Sequence, residues 1–386
     1  MTTTPQRRTR GSGSIRERMK GVWQIRYDGA PDVNGKVKKV AETVRGSKRE
    51  AERVLRERVG TVETGAYIEK SDTKVSEFME RWLSTYVATN TSVRTQQGYR
   101  YYVNAHISPV LGSMPLQRLT GSHVQRLYAT MQGKGLGGLT ILHCHRILKG
   151  ALGQAVKWGE IPRNPCDSAT PPRPEKKELQ TWDADTFQRF LEAASSSGFK
   201  DFYHLAALTG MRRSELCGLK WNDVDLDTGA LRVVRTLQRI DGQGLVEGQP
   251  KTDRSRRSIG LSAGAVEVLR HIRATQAELR LAAGELWQSR DFVFTNPDGS
   301  PISGERVSKD FAKIVRANDL PYLTLHGLRH TAASLMIAGN VHARAIADIL
   351  GHSSISITMD VYGHLLNDTQ RDAVKVLDEQ LLSGQK

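Results

Sequence analysis

The chain has 386 residues, 38% of them hydrophobic and 25% charged, which describes a folded protein of two or three domains and excludes a disordered one. A formal net charge of +15 and a pI near 9.8 favour a polyanionic partner. No apolar run approaches the roughly 18 residues of a membrane span, and no basic amphipathic anchor helix is evident. Cys144, Cys166 and Cys217 have neither metal-ligand nor disulfide spacing, which fits a reducing cytoplasm. The opening MTTTPQRRTRGSGS is basic without an apolar segment behind it, so it does not read as a secretory signal.

Charge is concentrated at the start. Residues 1–70 carry 17 Lys+Arg and 9 Asp+Glu, a net of +8 in under a fifth of the length. Residues 22–27 alternate, with Trp23, Ile25 and Tyr27 on one face and Gln24 and Arg26 on the other, which predicts a half-buried strand. Asn34-Gly35 is a hairpin-turn signal. Residues 36–44 then read as a second strand with basic outward positions, among them Lys36 and Lys38. Ser47-Lys48-Arg49-Glu50 is a capping box that opens a helix to about residue 59. The expected product is a small sheet with one helix and a basic outer face.

Residues 73–168 read as helical. Val75, Phe78, Trp82 and Tyr86 mark the apolar face of a first helix, and Thr95, Tyr99, Tyr102 and Val103 that of a second, ending near Pro109 and Gly112. Thr120 caps a third, carrying Val124, Leu127 and Tyr128. A fourth runs over about 139–158, with Ile141, Leu148, Leu152 and Ala155 inward. Four helices with short connections predict a compact bundle, its tyrosines core rather than base-stacking. The proline-rich, charged run 169–180 reads as an extended linker, which would let two DNA-binding lobes close around a duplex.

Residues 181–386 mix helices with a short β region. Helices are expected over 182–194 and 202–208. Strands are expected over 231–236 and 257–261, with helices dominating after Ala263. Here the side chains change character. His326-Gly327-Leu328-Arg329-His330, Leu350-Gly351-His352 and Tyr362-Gly363-His364 set imidazoles, a guanidinium and a phenol at short intervals among apolar helical residues. No core needs that mixture, whereas a phosphodiester does. Arg and His neutralise its oxygens, and Tyr can attack its phosphorus.

Upstream, Thr209-Gly210-Met211-Arg212-Arg213-Ser214-Glu215 supplies more of the same. The Thr-Gly turn places Arg212 at a helix start, and Glu215, one turn on, can orient it. A surface Arg–Glu pair is the plain alternative. Lys251 lies in Pro250-Lys251-Thr252-Asp253-Arg254-Ser255-Arg256-Arg257, expected to form the turn between two strands. Arg254, Arg256 and Arg257 either lower the pKa of Lys251 or grip phosphates. His326 and Arg329 are three apart, on one helix face. Gly351 is a helix C-cap that puts His352 at a turn. Tyr362, with an ordinary pKa of about 10, needs a proton acceptor and a neutralised phosphate before it can attack. His364 is a lesser, supporting candidate, and His330 packs locally. No paired carboxylates, HxH cluster or Walker loop occurs, so neither metal nor nucleotide cofactor is expected.

The motifs TGMRRSEL, His326-Gly327-Leu328-Arg329-His330, Leu350-Gly351-His352 and Tyr362 resemble the active site of tyrosine recombinases, the phage-integrase family. Tyr99 through His106-Ile107-Ser108-Pro109 to Leu111-Gly112 is similar to that family's core-binding domain. The basic opening module resembles its arm-binding domain, where a three-stranded sheet enters a DNA groove. The resemblance implies catalytic roles for Arg212 (rather than Arg213), Lys251, His326, Arg329, His352 and Tyr362. Lys251 would protonate the leaving 5′-oxygen, and Tyr362 would carry a 3′-phosphotyrosine.

The fold class expected is mainly α with small β-sheets (α+β). The domains expected are an arm-type DNA-binding domain (1–66), a helical, SAM-like core-binding domain (73–168), a linker (169–180) and a catalytic domain with a C-terminal tail (181–386). The partners expected are double-stranded DNA at core and arm sites and further copies of the chain in a tetramer. An excisionase or host DNA-bending protein is a further partner, with no membrane, in a bacterial cytoplasm at the nucleoid. Arg26, Lys36, Lys38, Arg254, Arg256 and Arg257 are the candidate DNA contacts. The tail apolar stripe, Ala373 to Leu382, docks on its own domain or on a neighbour. The alternatives are a transposon integrase, a chromosome-resolving recombinase, a type IB topoisomerase, or a non-catalytic architectural DNA-binding protein.

Overall fold

The computed structural model describes residues 13–31, 36–64, 67–175, 179–250, 255–351 and 354. The chain forms two compact units, Met1–Lys176 and Lys177–Lys386.

The first unit opens with an antiparallel sheet of β1 (Ser14–Met19), β2 (Val22–Pro31) and β3 (Val37–Arg45), in that order, followed by α1 (Lys48–Glu63). Ile25 and Tyr27 are buried with Ala51 and Leu55 of α1, as the alternation requires. Ser47 caps α1, its hydroxyl accepting from the Glu50 N–H at 3.3 Å. Strand β1 is an addition to the residue-level expectation, since SIRERM offers little hydrophobic alternation. The Asn34-Gly35 turn lies outside the described residues.

Register corrects one expectation about the outer face. Asp28 pairs Lys39, Arg26 pairs Ala41 and Gln24 pairs Arg16. Directly opposed residues share a face, so Arg16, Arg26 and Lys39 point away from α1. Lys38 alternates with Val40 and Glu42, on the helix side. There Glu42 pairs Arg58 of α1 at 3.0 Å and Lys38 pairs Glu69 at 2.6 Å. Lys38 therefore lies on the helix side of the sheet, exposed and paired with Glu69. The run Val-Lys-Lys-Val leaves register undecided by one residue, and a one-residue slip exchanges the faces.

The helical part has its own core, from α2 (Val75–Trp82) through α3 (Ala88–Asn90), α4 (Val93–Tyr102), α5 (Ser108–Leu111) and α6 (Gly121–Gly133) to α7 (Gly138–Lys157). Two π turns explain its departures from a simple 3.6-residue reading. Leu83–Val87 widens the first helix by a residue. Its inner face then passes to Val87, which is buried, and Tyr86 turns out to solvent. Val103–Ile107 does the same after α4 (Val93–Tyr102), and the Ser108 N–H reaches back to the Val103 carbonyl. That wide turn accommodates Pro109, which has no N–H to give. The helical run thus passes through Pro109 and ends at Gly112. Tyr99 stacks on Trp82 at 5.7 Å and Tyr128 is buried, whereas Tyr101 is exposed.

In the second unit α8 (Ala184–Ala193), α9 (Lys200–Thr209), α11 (Ala263–Ala283) and α12 (Gly304–Ala317) enclose a core around Phe190, Tyr203 and Phe311. A three-stranded antiparallel sheet runs β4 (Val224–Asp225), β5 (Ala230–Val233), β8 (Arg257–Gly260). The expected strand 231–236 is two strands. Val233 ends β5, and Thr236 begins a separate hairpin of β6 (Thr236–Ile240) and β7 (Gly244–Gly248). Lys251 thus follows an inserted hairpin rather than making a simple turn between two paired strands; residues 251–254 themselves lie outside the described residues. Short helix α10 (Arg213–Cys217) and the pair α13 (Gly327–Ala338) and α14 (Ala343–Leu350) complete the unit. Ala333 and Ile337 of α13 pack on Ile346 and Leu350 of α14 in a small core of their own. Among the described residues, no helix is long and apolar enough to cross a membrane.

Candidate active site

Helix α9 stops at Gly210, in the left-handed conformation (φ 62°). A Cβ there would also lie 2.5 Å from the Leu350 side chain, so only glycine serves. The chain turns, and Arg212 becomes the N-cap of α10. Glu215 accepts from the Arg212 backbone N–H through Oε2 (2.9 Å) and from its Nη1 through Oε1 (2.7 Å). This is no surface pair: the Glu215 side chain is 1% exposed. Arg213 turns the other way and donates to Ser308 Oγ on α12 at 2.7 Å.

Glu215 has a second cation that the sequence did not announce. Arg257, opening β8, donates Nη2 to Oε2 at 3.0 Å and Nη1 to Oε1 at 3.3 Å. Burial pushes the Glu215 carboxyl towards protonation. The Arg257 hydrogen bond and charge, with Arg212, overcome that and hold its pKa below the usual carboxylate range. Arg257 is thus buried and committed to Glu215, which corrects its assignment as a DNA contact. Arg256 is exposed and bonds Gln249, whereas Arg26 and Lys36 are exposed on the first unit.

The last turn of α14 gathers three guanidiniums. The Ile349 carbonyl accepts from Arg257 Nε at 2.5 Å, the Leu350 carbonyl from Arg329 Nη2 at 2.6 Å, and the Gly351 carbonyl from Arg212 Nη2 at 3.1 Å. A helix end leaves such carbonyls without partners and carries partial negative charge, so cations settle there. Gly351 ends the helix at φ 66°, and a Cβ on it would lie 2.9 Å from Arg257 Nη1. Arg329 donates a further bond to the Gly210 carbonyl at 2.8 Å and is 4% exposed. Residues 212, 257 and 329 are thereby fixed at one helix end, immediately before His352 in the chain.

His326 sits at the start of α13 with a solvent-accessible face. The surrounding protein, then Arg329, Arg212 and Arg213, push its pKa down against the opposing pull of Glu215. It is neutral at pH 7. Its ring meets that of His330 edge-on at 5.1 Å, and burial carries the His330 pKa down to about 4. Lys251, Arg254, His352, Tyr362 and His364 lie outside the described residues, as does the tail stripe. Among the described residues, no group of three His, Cys, Asp or Glu side chains is arranged to hold a metal ion.

A model of the "Phage integrase family" matches residues 180–368, and one of the "Phage integrase, N-terminal SAM-like domain" matches residues 74–132. The chain belongs to the phage integrase family of tyrosine recombinases. Among its relatives, a "Tyrosine recombinase XerC-like" protein of Caldanaerobacter subterraneus subsp. tengcongensis is 29% identical over 90% of this chain and 93% of its own. The ICEBs1 integrase of Bacillus subtilis is 28% identical over 74% and 77%. Among solved structures, the Tn1549 transposon integrase in complex with transposon right end DNA superposes with a TM-score of 0.69. It is 22% identical and covers 79% of this chain and 99% of its own. The lambda integrase tetramer bound to a Holliday junction gives a TM-score of 0.57 at 20% identity, over 92% and 97%. These likenesses establish for this family member the α+β recombinase fold read from its sequence.

Proposed function

We propose that the chain is a site-specific DNA recombinase of the integrase type that inserts and excises a mobile element, with Arg212, Lys251, His326, Arg329, His352 and Tyr362 as its catalytic residues. The observation that carries this is the convergence of Arg212 and Arg329 on the last turn of α14, with His326 in their field.

Arg212 and Arg329 neutralise the non-bridging oxygens of the scissile phosphate, and His352 adds a hydrogen bond. Neutral His326 takes the phenol proton as Tyr362 Oη bonds to phosphorus. The bond from phosphorus to the 5′-oxygen breaks, and Lys251 gives that oxygen its proton. In the return step the 5′-hydroxyl of a partner duplex attacks, the phosphotyrosine bond breaks, and Tyr362 regains its proton. One phosphate ester is exchanged for another each time, so no nucleotide is consumed. Two rounds in a tetramer pass through a Holliday junction.

The module at 1–66 binds arm sites through Arg16, Arg26 and Lys39, which share the sheet face away from α1. Residues 73–168 and 181–386, joined by 169–180, hold the core site. An excisionase or a host DNA-bending protein sets direction, at the nucleoid. An architectural DNA-binding role is disfavoured, because such a protein needs exposed cations and no carbonyl cradle for buried ones.

A nicked suicide substrate tests the reading. Wild-type protein should form a covalent adduct in chelator and without ATP, and Tyr362→Phe should form none. Equal adduct from both proteins would refute it.

A further inference from the structure

Three guanidiniums meet the end of α14, and the reaction above uses two of them. Arg257 has no face for substrate. All three of its guanidinium nitrogens are engaged within the protein: Nε by the Ile349 carbonyl, Nη1 by the Ser255 carbonyl and Glu215, and Nη2 by Glu215. Its effect must therefore pass through a neighbour, and the neighbour is Arg212. Arg257 holds both carboxylate oxygens of Glu215, Arg212 holds Oε1 with its guanidinium and Oε2 with its backbone N–H, and both reach carbonyls at the end of α14, Ile349 and Gly351.

Charge decides what that arrangement does. Arg212 with Glu215 alone sums to zero, and a neutral pair holds an anionic phosphate poorly. Adding Arg257 makes the cluster +1 and occupies half of the carboxylate's acceptor positions. Glu215 then cannot draw the Arg212 guanidinium into a closed two-bond pair. Arg212, whose side chain keeps 34% of its surface exposed, stays turned outward with positive charge to spare.

We propose that Arg257 is a positioning residue that keeps the charge of Arg212 from being cancelled by Glu215 and keeps its guanidinium aimed at the phosphate, by sharing Glu215 with it and bracing both against the end of α14. The proposal rests on the recombinase reading of the site. It concerns the negative charge on the phosphate, so it is separable from a general structural role.

The test compares covalent adduct formation by the full chain on two suicide substrates. One has an ordinary phosphodiester at the cleavage point, and the other a neutral methylphosphonate that has no oxyanion for Arg212 to hold. On the phosphodiester Arg257→Met should be slower than wild type by roughly a hundredfold, a deficit that should shrink to about threefold or less on the methylphosphonate. Arg257→Lys keeps the charge but loses the fork, and should show a phosphodiester deficit of about tenfold that shrinks likewise. If circular dichroism shows that Arg257→Met does not fold, the Lys variant decides by the same ratio. Wild-type rates on the phosphodiester, or equal deficits on both substrates, would overturn the proposal. No adduct from the wild-type protein would instead overturn the recombinase reading, and this inference with it.

Discussion

Arg26 and Arg329 are the same side chain in opposite surroundings. Arg26 stands exposed on the outer face of the first sheet. Arg329 is buried, with two hydrogen bonds to carbonyls that fold together from residues 210 and 350. An exposed cation contributes affinity that salt weakens. A buried, doubly held cation contributes fixed geometry, which a transition state can use without reorganisation. The high net charge of the chain conceals this division between exposed cations and cations held in the fold.

The sharpest break in that comparison comes from removing the buried member. Arg329→Met should lower suicide-substrate cleavage by roughly a thousandfold while lowering the salt slope of binding by no more than the about 0.9 of a single phosphate contact. A variant that cleaves normally would place Arg329 in the exposed class. Next, Gly351→Ala forces a side chain into a left-handed position and against Arg257, at a cost of about 1–3 kcal/mol. Urea titration reads it, and an unchanged midpoint would mean the cradle is soft.

The pH dependence sharpens the buried side further. His330 has a folded pKa of about 4 against an ordinary 6.5. Between those values the unfolded chain binds a proton that the folded one refuses. Stability is therefore full above pH 6.5 and declines as pH falls towards 4. The thermal midpoint should drop over that window, and His330→Asn should flatten the drop; an equally steep fall in the variant would remove His330 from the account. The smallest effect belongs to the exposed side. Arg26→Ala should leave core-site cleavage intact and reduce the slope of log K against log salt at arm sites by about 0.9. An unchanged slope would show that Arg26 makes no phosphate contact.

How far the sequence foretells these two regions differs for a physical reason. Arg212, Glu215, His326 and Arg329 are legible because their chemistry is carried by local spacing: a Thr-Gly stop, a one-turn pair, and a three-residue step on a helix. The glycine caps at 210 and 351 are legible in the same way. Arg257 as the second partner of Glu215 is not, since 42 positions separate them and only the β5–β8 pairing and the end of α14 bring them together. The sheet face of Lys38 is not legible because two adjacent lysines leave the strand register undecided. Tyr86 departs from the apolar face that spacing predicts because a π turn shifts helical phase by one residue, which hydrophobic spacing does not record.

In the proposed mechanism the cradle of Arg212 and Arg329 serves Tyr362 as the nucleophile. That role is tested most directly by digesting the covalent adduct from a suicide substrate and locating the modified residue by mass spectrometry. The account predicts a nucleotide joined through its 3′-phosphate to Tyr362. A 3′-phosphate on any other residue, or a 5′-linked adduct, would contradict it.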